Sequence, residues 1–156
     1  MSRKPKYKKR IISPDRLYSN KLISKFINHV MLDGKKSIAE KMVYESLEIL
    51  SKKVANPVLE SFVQAIDTIT PRMEVKSRRV GGSTYQVPVE VQKKRGYTLA
   101  MKWIIENARK KTGVAFSERL SSELIDAYNN TGNIAKKRDD THKMAEANKA
   151  FSHFRW

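Results

Sequence analysis

Apolar residues return at helical spacing along most of this chain. Leu22, Ile23, Phe26, Ile27, Val30 and Met31 form one stripe, and Asp33-Gly34 supplies its stop, which predicts a first helix. A second stripe runs through Ile38, Ala39, Met42, Val43, Leu47 and Leu50 and ends near Lys52. The third is punctuated at both ends. Asn56 is placed to cap it, Pro57 suits its first position, and Val58, Leu59, Phe62, Val63, Ile66 and Ile69 make its buried face before Pro71. The second and third helices read as an antiparallel pair.

The period then changes. Val75, Val80, Tyr85, Val87, Val89 and Val91 flank Gly81-Gly82, and β-branched runs on either side of a Gly-Gly pair predict a two-residue hairpin whose turn needs positive φ. With that turn, Val80 faces Ser83, Arg78 faces Tyr85 and Lys76 faces Val87. Two strands alone make a poor core, and Pro88 belongs on an edge. The segment 73–91 therefore reads as an arm projecting from a helical body.

Helical spacing resumes with Tyr97, Ala100, Met101, Ile104, Ile105 and Ala108, and Gly113 reads as the residue just past this helix's C-terminus. A fifth helix follows Ser117 through Leu120, Leu124, Ile125 and Tyr128 to Asn129-Asn130-Thr131-Gly132. The sixth runs from near Asn133 to about Lys149 on a thin apolar face of Ile134, Met144 and Ala145, which needs a partner. The expected fold is mainly α: a six-helix body with a protruding two-stranded β-hairpin between the third and fourth helices. Residues 1–12 are expected to form a basic arm that orders on binding, and 13–156 one domain.

Charge turns this outline toward a partner. The chain of 156 residues holds 32 Lys and Arg against 16 Asp and Glu, a surplus of +16. Self-repulsion of that size opposes compaction unless a polyanion meets it. The surplus is local: residues 38–69 hold three lysines against five acids, whereas residues 1–10 hold six cations and no acid. It concentrates in Arg3, Lys4, Lys6, Lys8, Lys9 and Arg10, in Arg72, Lys76, Arg78 and Arg79, in Lys93, Lys94 and Arg95, in Arg109, Lys110 and Lys111, and in Lys136, Lys137 and Arg138. The hairpin is the most pointed of these. Arg78-Arg79-Val80-Gly81-Gly82 sets guanidinium groups beside a turn with little side-chain bulk, where a nucleic-acid backbone can approach. Tyr7, Phe151, Phe154 and Trp156 lie near cations and are candidates to stack on bases, while Trp103, mid-helix, is assigned to packing.

Other chemistries find little support. No cysteine means no disulfide, thiolate zinc site, iron–sulfur cluster or thiol nucleophile. Gly34-Lys35-Lys36-Ser37 lacks the earlier glycine of a phosphate-binding loop and has Lys36 where the hydroxyl residue belongs, so Lys35 and Lys36 are read as phosphate contacts at the start of the second helix. His29, His142 and His153 have no metal-site spacing, and no convergent acid–base set is visible, so neither a metal, a cofactor nor a small-molecule substrate is expected. No apolar run approaches a membrane span, and Ile11-Ile12 is too short for a secretory core. A DNA-binding architectural protein would use the same charge and a β-arm, and stands as the alternative to an RNA binder.

Three long segments sharpen the choice. Phe26-Ile27-Asn28-His29-Val30-Met31-Leu32-Asp33-Gly34-Lys35-Lys36-Ser37, the run from Met73 through Ser77-Arg78-Arg79-Val80-Gly81-Gly82-Ser83-Thr84-Tyr85 to Val91, and the ending Met144-Ala145-Glu146-Ala147-Asn148-Lys149-Ala150-Phe151-Ser152-His153-Phe154-Arg155-Trp156 closely resemble ribosomal protein seven of the small subunit, bacterial type. The resemblance implies a binder of the 3′ major domain of small-subunit rRNA that nucleates assembly of the subunit head in the cytoplasmic ribosome, beside neighbouring head proteins. It also implies that Arg78, Arg79, Gly81 and Gly82 face the exit-site tRNA and the mRNA path, and that the arm, Lys35-Lys36, the hairpin base and Lys136-Lys137-Arg138 face rRNA.

Overall fold

Each apolar stripe becomes a helix with most of its stripe turned inward, except that Ile38, assigned to the second stripe, is 51% exposed at the start of its helix. The computed structural model describes residues 11–154. The basic residues Arg3 to Arg10 with Tyr7, and Trp156 at the other end, lie outside the described residues. In chain order the elements are α1 (Lys21–Val30), α2 (Lys36–Val54), α3 (Val58–Ile69), β1 (Met73–Val80), β2 (Ser83–Glu90), α4 (Lys93–Lys110), α5 (Phe116–Tyr128) and α6 (Gly132–Ala147), followed by a 3-10 helix (Lys149–Phe154). The fold is mainly helical, with the hairpin between the third and fourth helices as the sequence predicts.

α5 is the axis of the packing. Leu120, Leu124 and Ala127 on it are fully buried, and α2, α3, α4 and α6 all pack against it. α2 and α3 also touch each other, and α1 closes the layer against α2 and α4, with the Phe26 and Phe62 rings 5.2 Å apart. Burying so many Leu, Ile, Val and Phe side chains, each contributing about 1.5–3 kcal/mol, offsets the conformational entropy lost along the backbone.

Local chemistry sets the element ends. Asn20 caps α1 by accepting the Leu22 N–H at 2.7 Å. Asp33 and Gly34, with φ of 52° and 72°, then turn the chain into α2. Two expected caps are corrected. Pro57 is the N-cap of α3 rather than its first helical residue, and its carbonyl accepts from Ser61 N–H, while the Asn56 amide instead donates to the Tyr128 hydroxyl at 2.9 Å. Gly113 does not directly follow the α4 cap. Lys111 caps α4 in extended conformation and the glycine bends the chain two residues on, with φ of 94°.

The hairpin register agrees with the sequence at each pair named: Val80 with Ser83, Arg78 with Tyr85, Lys76 with Val87. Gly81 and Gly82 have φ of 55° and 89°, the condition for a turn whose twist suits the flanking strands. Pro88 lies opposite Val75 in a strand with a neighbour on one side only. The arm is less free than two isolated strands would be. α6 packs on both strands, and the 3-10 helix packs on β2, where Tyr85 meets Phe151 and Phe154 at ring distances of 5.4 and 5.0 Å. The two phenylalanines assigned to base stacking thus brace the hairpin. Met144, assigned to the apolar face of α6, is 57% exposed, and Ile134, Ala135 and Ala145 carry that face instead.

Beside the hairpin base, α4 and the end of α3 meet at a close approach. Gly96, in the first turns of α4, is buried where an added Cβ would lie 2.6 Å from Thr70 Cγ2. Thr70 cannot swing away freely, because its hydroxyl donates to the Ile66 carbonyl at 2.7 Å. Gly96→Ala is therefore expected to destabilise the fold by about 1–3 kcal/mol despite alanine's better helix propensity. Adding Thr70→Ser, which keeps the hydroxyl and removes the methyl, restores most of that loss in urea melts. A single Gly96→Ala variant as stable as wild type would contradict this packing.

Candidate nucleic-acid interface

The cations distribute along α4, whose 18 residues separate its ends by about 25 Å. At its start Lys93, Lys94 and Arg95 adjoin the hairpin base with Arg72 and Lys76. At its finish Arg109, Lys110 and Lys111 adjoin the α1–α2 turn with Lys35 and Lys36. Between them Lys137 of α6 lies 5.2 Å over the Trp103 ring and 3.7 Å from Glu106. Trp103 packs on the core as assigned and also carries this cation.

The predicted cations divide into two kinds. Several arginines are architectural. Arg95 grips the buried Glu74 carboxylate through Nε at 2.8 and 2.9 Å and through Nη2 at 2.8 Å, with Lys76 3.3 Å from the same group. Arg109 donates to the Val30 carbonyl at 3.0 Å, tying the end of α1 to the end of α4. Arg138 donates to the Thr68 carbonyl at 2.5 Å and the Asn130 side chain at 2.9 Å, joining α6 to the end of α3 and the α5–α6 loop. Lys111 is also committed, 2.5 Å from the buried Glu123, which Asn107 donates to at 2.7 Å. By contrast Lys35, Lys94, Lys110 and Lys136 are exposed, and no ion pair involves them among the described residues.

Two histidines report the local field. Burial first, then Lys25 and Lys102, lower the His29 pKa. Burial, then Arg138 and Arg72, likewise lower that of His142, with Asp139 opposing. His142 Nε2 accepts the Arg72 backbone N–H at 2.9 Å, so its neutral form pins α6 to the hairpin base. Lys25 and Lys102 were not picked out in the sequence, where neither belongs to a run of cations. Lys102 follows Arg95 by seven residues and precedes Arg109 by seven, so the three share one face of α4. α2 and α5 both begin at the Arg109 end without a side-chain cap, and their dipoles add to its positive potential.

The hairpin tip, Gly81 through Thr84, is exposed. Arg79 is exposed beside it and Arg78 half-buried. At the hairpin base, away from the tip, a polar cleft of about 500 Å³ opens among Asp67, Arg72, Asn130, Arg138 and His142. Next to it the Tyr97 hydroxyl bonds Asp67 and Lys93, which raises the pKa of Lys93. One acid near the chain start also went unread: Asp15, 7% exposed, accepts from the Leu17 and Tyr18 N–H groups and from the Tyr44 hydroxyl at 2.6 Å, fixing the root of the arm to α2. Its signal was an Asx-turn spacing after Pro14. No group of acids and histidines among the described residues is arranged to hold a metal, and no helix there is long and apolar enough to cross a membrane.

Comparison with known proteins identifies relatives of the chain. The family model for ribosomal protein S7p/S5e matches residues 2–149. The small ribosomal subunit protein uS7 of Thermomicrobium roseum is 53% identical over 156 residues, all of both chains. That of Azorhizobium caulinodans is 52% identical over the same full span, and that of Kosmotoga olearia 55% identical over 148 residues, 95% of this chain and 96% of its own.

Glu74 is the acid on which the hairpin base is built. Burial alone would raise its pKa, but the hydrogen bonds and charges of Arg95 and Lys76 outweigh that and hold it below the ordinary 4.5. A carboxylate held more firmly in the folded state stabilises fully above its ordinary pKa, and that contribution disappears as pH falls through the depressed value. Glu74→Gln is expected to cost about 1–2 kcal/mol at neutral pH, since two cations lose their acceptor but both are half-exposed. In thermal melts the variant should also lose less stability than wild type as pH drops below 4.5. Parallel acid limbs for the two proteins would refute the assignment.

Proposed function

We propose the function of this chain from one premise: it belongs to the ribosomal protein S7p/S5e family. It is therefore a structural protein of the small subunit in the cytoplasmic ribosome, and not an enzyme. Beyond that membership, the chain acts as a primary binder of small-subunit rRNA in the 3′ major domain and nucleates the subunit head. Its exposed cations along α4 neutralise phosphates, and the rigid body selects the shape of an RNA junction, because double-helical RNA hides its base edges in a deep groove. The hairpin tip reaches the exit-site tRNA and mRNA path through Arg78, Arg79, Gly81 and Gly82, and the basic arm through Arg10 adds contacts that form with the RNA.

The observation that carries this reading is that exposed lysines outside any ion pair among the described residues stand at both ends of α4, Lys94 and Lys110, and beside it on α6, Lys136, inside a chain of this family. A polyanion some tens of ångströms long suits that layout better than a single phosphate group does.

Two measurements test it. Affinity for a 3′ major-domain RNA fragment should fall with log salt by about 0.7–0.9 per phosphate contact, and the triple change Lys94→Gln, Lys110→Gln and Lys136→Gln should lower that slope by about 2–3. The same change should leave stability within about 0.5 kcal/mol, since these side chains hold no other element. An unchanged slope, or tighter binding to duplex DNA than to the fragment at physiological salt, would overturn the reading. Second, Arg78→Ala with Arg79→Ala should change rRNA affinity less than threefold, by about 0.6 kcal/mol or less, yet weaken exit-site tRNA retention in reconstituted subunits several-fold. A larger loss in rRNA affinity would make the tip an anchor instead.

A further inference from the structure

Where α1, α2, α4 and α5 come together, an open cleft of about 350 Å³ is walled by Val30, Leu32, Ile38, Met42, Arg109 and Phe116. It is mostly apolar, and its lip is unusually so for a charged protein: Leu32 is 60% exposed and Ile38 51%. Exposed apolar side chains grouped at one concave place mark a binding site more often than chance. The rim is charged in the opposite spirit. Lys35 borders the cleft, Lys36 and Lys41 follow on α2, and Arg109 lies in its wall with one guanidinium nitrogen on the Val30 carbonyl and the others unassigned by that bond. Asp33 is the acid in its lining.

A ligand that suits this combination is flat and apolar in its middle and anionic at its edge. The volume is at the small end of pockets for small organic groups and suits one ring system rather than a docked helix. A planar Phe116 ring and a planar Arg109 guanidinium are the side chains on which unstacked bases are held in single-stranded RNA. A second groove of about 600 Å³ shares the Ile38, Met42 and Phe116 walls and runs past Lys41, Ala115 and Ser117. It gives the neighbouring nucleotide room to leave past Lys41, with Glu45 the acid in that lining.

We propose that this cleft seats one unstacked nucleobase of the bound RNA, with its phosphates on the Lys35, Lys41 and Arg109 rim. The inference rests on the rRNA-binding reading above and adds a contact that charge alone does not provide. Phosphate contacts position an RNA, whereas a base held in a cleft makes the complex depend on one particular unpaired nucleotide.

The test uses the full chain and the 3′ major-domain RNA fragment over a salt gradient, with Ile38→Ser, Leu32→Ser and the conservative Ile38→Val. Each altered side chain is more than half exposed, so thermal melts should match wild type. The two serine variants are expected to bind about 5–30-fold more weakly at every salt concentration with an unchanged salt slope, and Ile38→Val to bind like wild type. Base-reactivity probing should then show one unpaired nucleotide protected by wild type and exposed with Ile38→Ser. Serine variants that bind as wild type does would overturn the proposal. So would an acidic apolar peptide that binds the free protein through Ile38 while RNA affinity is indifferent to that residue, which would make the cleft a protein-docking site. Failure of wild type to bind the fragment would instead remove the broader reading.

Discussion

Every helix of the body except α1 takes its place by leaning on α5, and the chain's other properties follow from how little room that leaves inside. One central helix with Leu120, Leu124 and Ala127 at its buried face supports four neighbours. Such a core admits a charge only when it is fully matched, as Glu123 is by Lys111 and Asn107. The remaining cations are pushed to helix ends and outer faces. Among the described residues, folding thus leaves exposed cations on a surface that the protein itself does not fully neutralise.

Arginine and lysine then separate by chemistry. Arg95, Arg109 and Arg138 each reach a carboxylate or a carbonyl on another element, and a planar fork with several donors can hold such an acceptor and still present charge to solvent. Lysine has one hydrated head and a flexible stem, and Lys35, Lys94, Lys110 and Lys136 keep theirs in water. These three arginines, together with Lys111 on Glu123 and Lys137 on Glu106, fix the distances between elements, and Lys35, Lys94, Lys110 and Lys136 stand outside that frame of internal pairs. Binding of a polyanion need not break the internal pairs.

This division explains what the sequence discloses and what it withholds. Periodicity located all six α-helices, because burial on one face leaves a repeat that needs no knowledge of the partner. The hairpin register followed from Gly81-Gly82 alone, since a two-residue turn determines which residues face each other. Long-range partners leave no such mark. Nothing local announces that Arg95 will meet Glu74, that Phe151 and Phe154 will close on Tyr85, or that Asn56 will turn from capping α3 to the Tyr128 hydroxyl. The charge clusters were therefore legible as clusters, but their sorting into structural and exposed cations was not. The apolar cleft escaped for a related reason: Ile38 looks like an ordinary stripe residue and Leu32 like part of the stop, until the bend at Asp33-Gly34 leaves both exposed.

The hairpin shows how such a body can carry a rigid arm without a second core. A free two-stranded ribbon is marginal in water. Here it is held three ways: at its base by Glu74 between Arg95 and Lys76 and by the Arg72 backbone on His142, and nearer the tip by the C-terminal aromatic pair on Tyr85. These anchors come from α4, α6 and the 3-10 helix, so the arm's direction is set by elements that also border the exposed cations. Any shape that α4 presents to a polyanion is consequently in fixed relation to the Gly81-Gly82 tip. Had Pro88 and two strands been left unsupported, the tip would sample many directions, and the cations of its base and its end would not act on one partner at once.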